Sequence, residues 1–333
     1  MQFMQKTISS LNTEGVIATS HKKIRCAREG LKNWLINLLW KLGAPGIIKR
    51  LLPENRWGDR VYGFLLFYMC HRRRPNNSMT FNDVLHRIKT TDEILNPLRV
   101  FVTDKEFVKL YIKAVVGNEY NIPTLAVLRS IDEVRAYSFP SQCCIKATHS
   151  CGKVILRKDG APIDYNEIER WFSENFYRSH REANYRLLNP KIIVEPVIFP
   201  DETLVEYKIF CFHGEPRLVR TWEDFLGDAR PNVFDIEWNN MPFGLRHENS
   251  SNLLSRPTNL LEMVNIAKKL SERFDFIRVD LYSNNKRIYV GELTNCHSNA
   301  TAPFIPIDAE HIASKIIFSN SLQNLSDEVV EWE

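Results

Sequence analysis

The sequence lacks any stretch that could cross a membrane. Its longest apolar run, Val61–Cys70, has about ten residues, whereas a membrane-spanning helix needs about 20. No signal peptide is evident, and no internal repeat or low-complexity segment interrupts the 333 residues. Hydrophobic residues make up 44% and charged residues 25%, which is ordinary for a soluble globular protein of about two or three structural units.

Cysteines with the spacing of a zinc site are also missing. The seven cysteines are odd in number, and Cys143 and Cys144 are adjacent, which does not suit a disulfide framework. We therefore expect a reducing compartment and a cytoplasmic protein.

Charge of one sign does not dominate the chain, because the formal net charge is only +4. The distribution is uneven, since residues 1–75 carry 14 Lys and Arg against 4 Asp and Glu. The sequence therefore argues against nucleic-acid binding by the whole protein, whereas the N-terminal region could meet an anionic surface.

Arg28–Leu42 is predicted to form an amphipathic helix with a leucine and tryptophan stripe opposite basic residues. Such a helix can pack on a core through its leucines. Alternatively, it can lie at the inner face of the cell membrane as a peripheral contact.

A predicted hairpin, residues 274–295, carries the residues most informative about chemistry. Apolar and polar residues alternate in its first strand, so Arg278 and Asp280 share a face. Burying these two charges is costly unless they serve each other, a metal or a ligand. Glu292 is a further carboxylate in the apolar second strand.

The register of the hairpin decides whether these charges meet. A two- or four-residue turn would put Glu292 on the opposite face, and a three-residue turn would put Arg278, Asp280 and Glu292 on one face. We favour the register in which Glu292 lies across from Arg278 and diagonal to Asp280, about 7–8 Å away. Two carboxylates at that separation can share Mg²⁺. An ordinary ion pair in a half-exposed hairpin is the alternative.

Two further strands each contain a lysine. Lys146 precedes the small-residue turn 148–152, whose backbone N–H groups could approach phosphate oxygens. Lys208 lies in the predicted strand 206–212. Glu195 interrupts an apolar strand, and Pro196 ends its ladder of hydrogen bonds, which leaves backbone groups that could receive an adenine edge. A plain hairpin and an edge strand are the alternatives.

Taken in order, these features resemble the ATP-grasp fold. More closely, the chain resembles the ATP-grasp family related to the teichuronopeptide biosynthesis protein, also called TupA-like ATP-grasp. The resemblance covers roughly residues 60–310, and the matching stretches are residues 103–125, 145–155, 191–198, 205–216 and 276–294.

The resemblance implies an α+β chain with two α+β subdomains that grip ATP, preceded by a helical N-terminal region. The expected divisions are residues 1–90 for the basic helical region and 91–140 for the first part of the core. Residues 141–200 would form the lid subdomain, and residues 201–320 the C-terminal subdomain with the metal site.

Residue by residue, the resemblance implies a nucleotide site and a magnesium site. Lysines contact the phosphates, a small-residue loop covers them, and a glutamate with the backbone after it faces adenine and ribose. The residues at these positions are Lys105, Lys146, Lys208, His149, Ser150, Cys151, Gly152, Glu195, Pro196 and Val197. Asp280 and Glu292 would hold Mg²⁺ with Asn295. Arg278 would stabilise an acyl-phosphate and the tetrahedral intermediate after it.

The implied activity is ATP-dependent ligation of a carboxylate and an amine through an acyl-phosphate. The substrates would be an amino acid and a sugar acid, glycan or peptide, in the synthesis of a cell-surface polysaccharide such as a capsule. The alternatives are an ATP-grasp sugar kinase and a non-catalytic, membrane-peripheral binder in a polysaccharide assembly complex.

Overall fold

The computed structural model describes residues 28, 30–200, 202, 204–223 and 230–319. It divides the chain into two compact units, Met1–Pro53 and Glu54–Glu333. Residues 1–27 and 29 of the basic N-terminal segment lie outside the described residues.

The first unit is helical over residues 30–41 (α1) and Ala44–Leu51 (α2). The predicted amphipathic helix is therefore present, but its apolar stripe is exposed rather than packed on a core: Leu31, Trp34 and Leu35 are each at least half exposed. Among the described residues, no helix combines the length and the apolar character that a membrane crossing requires.

The second unit alternates helices with antiparallel strands. Its helices are Arg56–His71 (α3), Phe81–Thr90 (α4), Pro97–Thr103 (α5), Phe107–Val115 (α6), Ile131–Ala136 (α7), Tyr165–Ser173 (α8), Phe176–His180 (α9), Leu260–Ser271 (α10) and Ala309–Phe318 (α11). Its strands are Ala126–Leu128 (β1), Cys143–Ala147 (β2), Val154–Arg157 (β3), Ile192–Glu195 (β4), Val205–Phe212 (β5), Glu215–Glu223 (β6), Asn232–Asp235 (β7), Gly244–Leu245 (β8), Phe276–Ser283 (β9), Ile288–Thr294 (β10) and Phe304–Ile305 (β11).

A four-stranded sheet has the order β1-β4-β2-β3. Burial alternates along β2, so one face presents Ile145 to the core and the other presents Lys146. The apolar face packs on Ile168 and Trp171 of α8. The other face, with Lys146, makes polar contacts, among them the ion pair of Lys146 with Glu195 of β4.

A five-stranded sheet has the order β10-β9-β5-β6-β7. One face of its second strand β9 presents Ile277, Val279 and Leu281 to the helices α6 and α10, and all three are fully buried. Arg278 and Asp280 therefore lie on the opposite face, as the alternation in the sequence predicts. A two-stranded sheet, β8 with β11, completes the described strands.

The hairpin β9–β10 has a register that differs from the predicted one. Its turn has four residues, 284–287, instead of three, and a bulge lies between Val290 and Glu292. The bulge adds one residue to β10, so Glu292 returns to the face of Asp280 and pairs directly with it. The favoured register was therefore wrong, although the three charges share one face. A bulge cannot be counted from alternation, because it breaks the period of two.

Candidate active site

The polar face of the five-stranded sheet has a fully buried carboxylate at its centre. Asp280 is 0% exposed and accepts hydrogen bonds from Arg278 Nε and Nη2, at 2.6 Å each. Lys208 Nζ, on the neighbouring strand β5, lies 3.0 Å from Asp280 Oδ2 and 2.5 Å from Glu206. Each of these charged side chains thus has a partner of opposite charge on its own strand or on the neighbouring strand.

Glu292 stands opposite Asp280 and is the more accessible of the two carboxylates. One third of its side chain is exposed, whereas the side chain of Asp280 is closed off. Glu292 Oε1 accepts hydrogen bonds from Thr294 Oγ1 at 2.9 Å and from Arg278 Nη2 at 3.2 Å. Burial raises the pKa of Glu292, but the positive charges of Lys105, Arg278 and Lys208 outweigh the effect of burial. Together they lower the pKa of Glu292 to about 2. Glu292 is therefore ionised at neutral pH.

Arg278 links the carboxylates to the end of the hairpin. Besides Asp280 and Glu292, its guanidinium contacts Thr294 at 2.9 Å and the ring of His297. Burial lowers the pKa of Arg278, and the two carboxylates more than offset this effect. Burial and Arg278 both lower the pKa of His297, so that ring is neutral. His297 was missed as a site residue in the sequence, where only its position just after the hairpin marks it.

The four-stranded sheet contributes a second group of charges. Glu195, at the end of β4, pairs with Lys146 of β2 at 2.8 Å and also with Lys109 of α6. The sequence interpretation assigned a site role to Glu195 and Lys146 but missed Lys109. The only signal in the sequence is that Lys109 lies four residues after Lys105, which itself precedes α6. Pro196 and Val197 follow the strand and are half-buried.

Lys105 and the turn after β2 hold each other in place. The backbone N–H of Lys105 donates to the Thr148 carbonyl at 3.2 Å, and Lys105 Nζ donates to the Ser150 carbonyl at 2.5 Å. Cys151 is exposed at the tip, and Gly152 has the positive φ of 73° that favours glycine. The tip is thus the part of the turn that is free to contact a ligand.

His149 anchors this turn from below. Its Nε2 lies 2.9 Å from the Trp171 carbonyl, and its Nδ1 accepts the backbone N–H of Lys191 at 3.4 Å. The ring is 3% exposed, and burial lowers its pKa. The structure therefore places His149 among core contacts rather than at the exposed tip, and its phosphate contact stays a prediction.

Asn295 is not brought together with the two carboxylates. Its Oδ1 accepts a hydrogen bond from the Arg99 guanidinium at 3.1 Å. Its Nδ2 donates to the Arg99 carbonyl and to Thr103 Oγ1, each at 3.1 Å. Thr294, the residue before it, lies beside Glu292 instead. Successive strand residues point to opposite faces, which is why only one of these two can reach the site. The role of Asn295 as a metal ligand stays a prediction.

The donor set fits a hard cation such as Mg²⁺. Carboxylate and hydroxyl oxygens of Asp280, Glu292 and Thr294 face one another across β9 and β10. No group of three or more His, Cys, Asp or Glu side chains with metal-binding geometry occurs in the part of the chain that the structure describes. The protein would therefore supply two carboxylates and leave the remaining positions to a ligand and water.

Electrostatics connects the polar faces of the two sheets. Glu195 raises the pKa of Lys146 on β2 most, and Glu292 on β10 adds to that rise, while Lys105 lowers the pKa of Glu292. Lys105 is itself hydrogen-bonded to the turn after β2, so the polar faces of the two sheets are neighbours. The space between these two faces is the cleft.

Comparisons with known proteins agree with this architecture. The model of the TupA-like ATP-grasp family matches residues 85–317, well over half of the chain. A comparison with curated proteins found no match.

Among solved structures, the chain is similar to D-alanine–D-alanine ligase from Helicobacter pylori. Identity is 17% and the TM-score 0.34, over 61% of this chain and 53% of that one. The L-amino acid ligase from Bacillus licheniformis has 12% identity and a TM-score of 0.39, over 66% and 51%. D-cycloserine synthetase DcsG has 14% identity and a TM-score of 0.36, over 66% and 70%. The chain spans about half the length of the first two.

The predicted α+β fold of ATP-grasp type is confirmed by the family match together with the mixed helices and antiparallel sheets. The chain belongs to the TupA-like ATP-grasp family.

Proposed function

We propose that this protein is an ATP-dependent ligase that activates a carboxylate as an acyl-phosphate and joins it to an amine. The substrates that we propose are a sugar acid, glycan or peptide and an amino acid, used in cell-surface polysaccharide synthesis. The observation that carries the proposal is the cross-strand pair of Asp280 and Glu292, flanked by Arg278, Lys208 and Lys105.

The chemistry explains why such a cluster is useful. A carboxylate is a poor electrophile, and bound ATP with Mg²⁺ would supply the phosphoryl group that converts it into an acyl-phosphate, from which phosphate is a good leaving group. Both phosphoryl transfer and amine attack build negative charge on oxygens. Arg278 and Lys208 are held on adjacent strands, and once nucleotide and metal are bound they can stabilise that charge. No covalent nucleophile is required from the protein.

A screen for ADP release tests this function. The full-length protein would be incubated with ATP, Mg²⁺ and each pairing of glucuronate or galacturonate with single amino acids. We expect ADP release that needs both partners and yields an amide detectable by mass spectrometry. A phosphorylated sugar without an amide would favour a sugar kinase instead, and no ADP release with any pairing would contradict the proposal.

We also infer that the N-terminal unit contacts an anionic membrane surface. The support comes from the exposed apolar residues of α1, including Leu31 and Trp34, and from the excess of basic residues before position 75. We expect the full-length protein to sediment with phosphatidylserine vesicles and less with neutral vesicles. The variant Trp34→Glu should remain in the supernatant, and equal sedimentation of both proteins would contradict this contact.

A further inference from the structure

Two buried charged residues near the active site have no hydrogen-bond or ion-pair partner among the residues that the structure describes, although Lys89 Nζ lies 6.0 Å from the centre of the Tyr62 ring. Lys89, in the last turn of α4, is 2% exposed, and Glu182, just before the 3₁₀ turn Ala183–Tyr185, is 7% exposed. Neither side chain forms a hydrogen bond or an ion pair within 4.0 Å. Lys89 Nζ and the Glu182 carboxylate oxygens are not among the unpaired polar atoms that are sealed from solvent, so each of them still borders some open space. Two unpartnered buried charges are costly unless a ligand uses them.

The other charges around Lys89 are already engaged. Lys89 interacts electrostatically with Glu182 and Asp59, and burial lowers its pKa. Asp59, however, is paired with Arg56 and Arg181, each at 3.3 Å. Of the two carboxylates, Glu182 is therefore the one without an ion pair in the described part of the chain. It does not pair with Lys89 either, because no oxygen of Glu182 lies within 4.0 Å of Lys89 Nζ.

Glu182 is held beside the end of β10. The 3₁₀ turn that follows it is tied down by Asn184, whose amide donates to Thr103 Oγ1 at 2.9 Å. Thr103 also accepts a hydrogen bond from Asn295, the residue after the strand. Arg181, just before Glu182, has a positive φ of 55°, so the chain turns sharply there. These contacts give the carboxylate a fixed position.

The charge of Glu182 interacts with the reaction centre on its other side. Burial raises its pKa to about 7, a rise to which Glu292 adds and which Lys89 and Arg278 oppose. Arg278 is engaged by Asp280 and Glu292, so it does not pair with Glu182. Glu182 is thus a buried carboxylate, without an ion pair to any described residue, whose charge interacts with both Lys89 and Glu292. The hydrogen bonds to Thr103 hold its turn near the end of β10.

We propose that Lys89 and Glu182 form a subsite for a zwitterion, in which Lys89 binds the carboxylate of an amino-acid substrate and Glu182 binds its ammonium group. This subsite rests on the ligase function proposed above. The two buried groups have opposite charges and no ion pair with the residues described, so in sign they match the two charged groups of an α-amino acid, and charge-assisted hydrogen bonds to both would remove the cost of burying them.

The same position gives Glu182 a catalytic role. An ammonium group has no lone pair, so it must lose a proton before it can attack. Glu182 accepts that proton, and the amine then forms a bond to the acyl carbon. The bond from that carbon to the phosphate oxygen breaks, and the phosphate leaves with the electron pair and takes up the second proton of the amine. A base with a pKa near the working pH suits this transfer.

Calorimetry on the full-length protein tests the binding step. The probes are the L-amino acids and D-alanine, with propionate and ethylamine as probes that carry one charge each. We expect at least one amino acid to bind, and Glu182→Gln and Lys89→Met each to weaken it at least tenfold. The matched controls are Glu215→Gln and Lys268→Met, from a half-exposed ion pair of 2.8 Å. Near-ultraviolet circular dichroism would verify that all variants are folded.

Hydroxylamine separates this subsite from the ligase function. It is uncharged at neutral pH and has no carboxylate, so it can trap an acyl-phosphate without Lys89 or Glu182. With a carboxylate that supports turnover, Glu182→Gln should lose at least tenfold more of its amide formation than of its hydroxamate formation. Equal loss of both products, binding that the two substitutions leave unchanged, or no amino-acid binding by the wild type would overturn the subsite. If amino acids bind as expected and no carboxylate gives hydroxamate, the subsite holds and the ligase function fails.

Discussion

Replacing Asp280 by asparagine should have two effects, because this carboxylate is part of both the fold and the site. The substitution keeps the shape of the side chain and removes its charge, and with it the partner of Arg278 and Lys208. Removing one member of a buried ion pair typically costs about 3–5 kcal/mol. Glu292 still contacts Arg278, and Glu206 still contacts Lys208. We therefore expect a loss near the lower limit, about 3 kcal/mol.

Glu292→Gln is the matched comparison within the same site. Glu292 is one third exposed, and its one ion pair, with Arg278, is longer at 3.2 Å. Pairs that water can reach contribute about 0–1 kcal/mol, so we expect a loss of about 1 kcal/mol or less. Both variants should nevertheless lose ADP release at least a hundredfold, since each carboxylate is a proposed ligand of Mg²⁺.

Urea unfolding followed by tryptophan fluorescence measures the stability of the two variants, and a coupled assay measures ADP release at a temperature where both are folded. Two results would refute the reasoning: equal losses of unfolding free energy in the two variants, or wild-type turnover by Asp280→Asn.

Further substitutions test other parts of the site. Gly291→Val should lower the unfolding free energy by about 1–3 kcal/mol, because an added Cβ would lie 2.7 Å from the ring of Tyr282, and Gly291→Ala should cost less; differential scanning fluorimetry would compare them. Lys146→Met should weaken ATP binding at least tenfold in calorimetry, whereas Lys109→Met should mainly lower the thermal midpoint, because that ammonium group also donates to a backbone carbonyl at 2.6 Å. The stability advantage of the wild type over Glu292→Gln should be nearly full above about pH 5.5 and shrink steadily as the pH falls towards 2, since the folded-state pKa is lowered; an advantage in urea titrations at pH 2.5 as large as the advantage at pH 6 would contradict this assignment.

Alternation within single strands could be predicted from the sequence. The spacing of Arg278 and Asp280 places both on one face, and the structure agrees. The same argument holds for Lys146, which lies on the polar face of β2. These inferences succeed because the period of a strand is fixed by backbone geometry. The five motifs in order were also sufficient to identify the family.

Contacts between distant segments could not be predicted in this way. The bulge before Glu292 changes the register by one residue, and no periodic pattern reveals it. The pair of Lys109 and Glu195 joins residues that are 86 positions apart in sequence by their numbering, and Lys89 and Glu182 are separated still further. Such neighbours depend on how helices pack on the sheets, which is a property of the whole fold.

The ion pairs of the cleft have a consequence for how nucleotide and metal bind. Lys146 and Lys208 already have acidic counter-ions, Glu195 and Asp280, so a polyphosphate gains only the difference between the new attraction and the old one. A divalent cation alone faces the converse difficulty, because it must take Asp280 from its basic neighbours. When nucleotide and metal bind together, the lysines replace their carboxylate partners by phosphate. Asp280 replaces its lysine partner by the metal ion, so no buried charge is left without a partner. Magnesium and ATP should therefore bind with positive cooperativity, each raising the affinity for the other by the same factor.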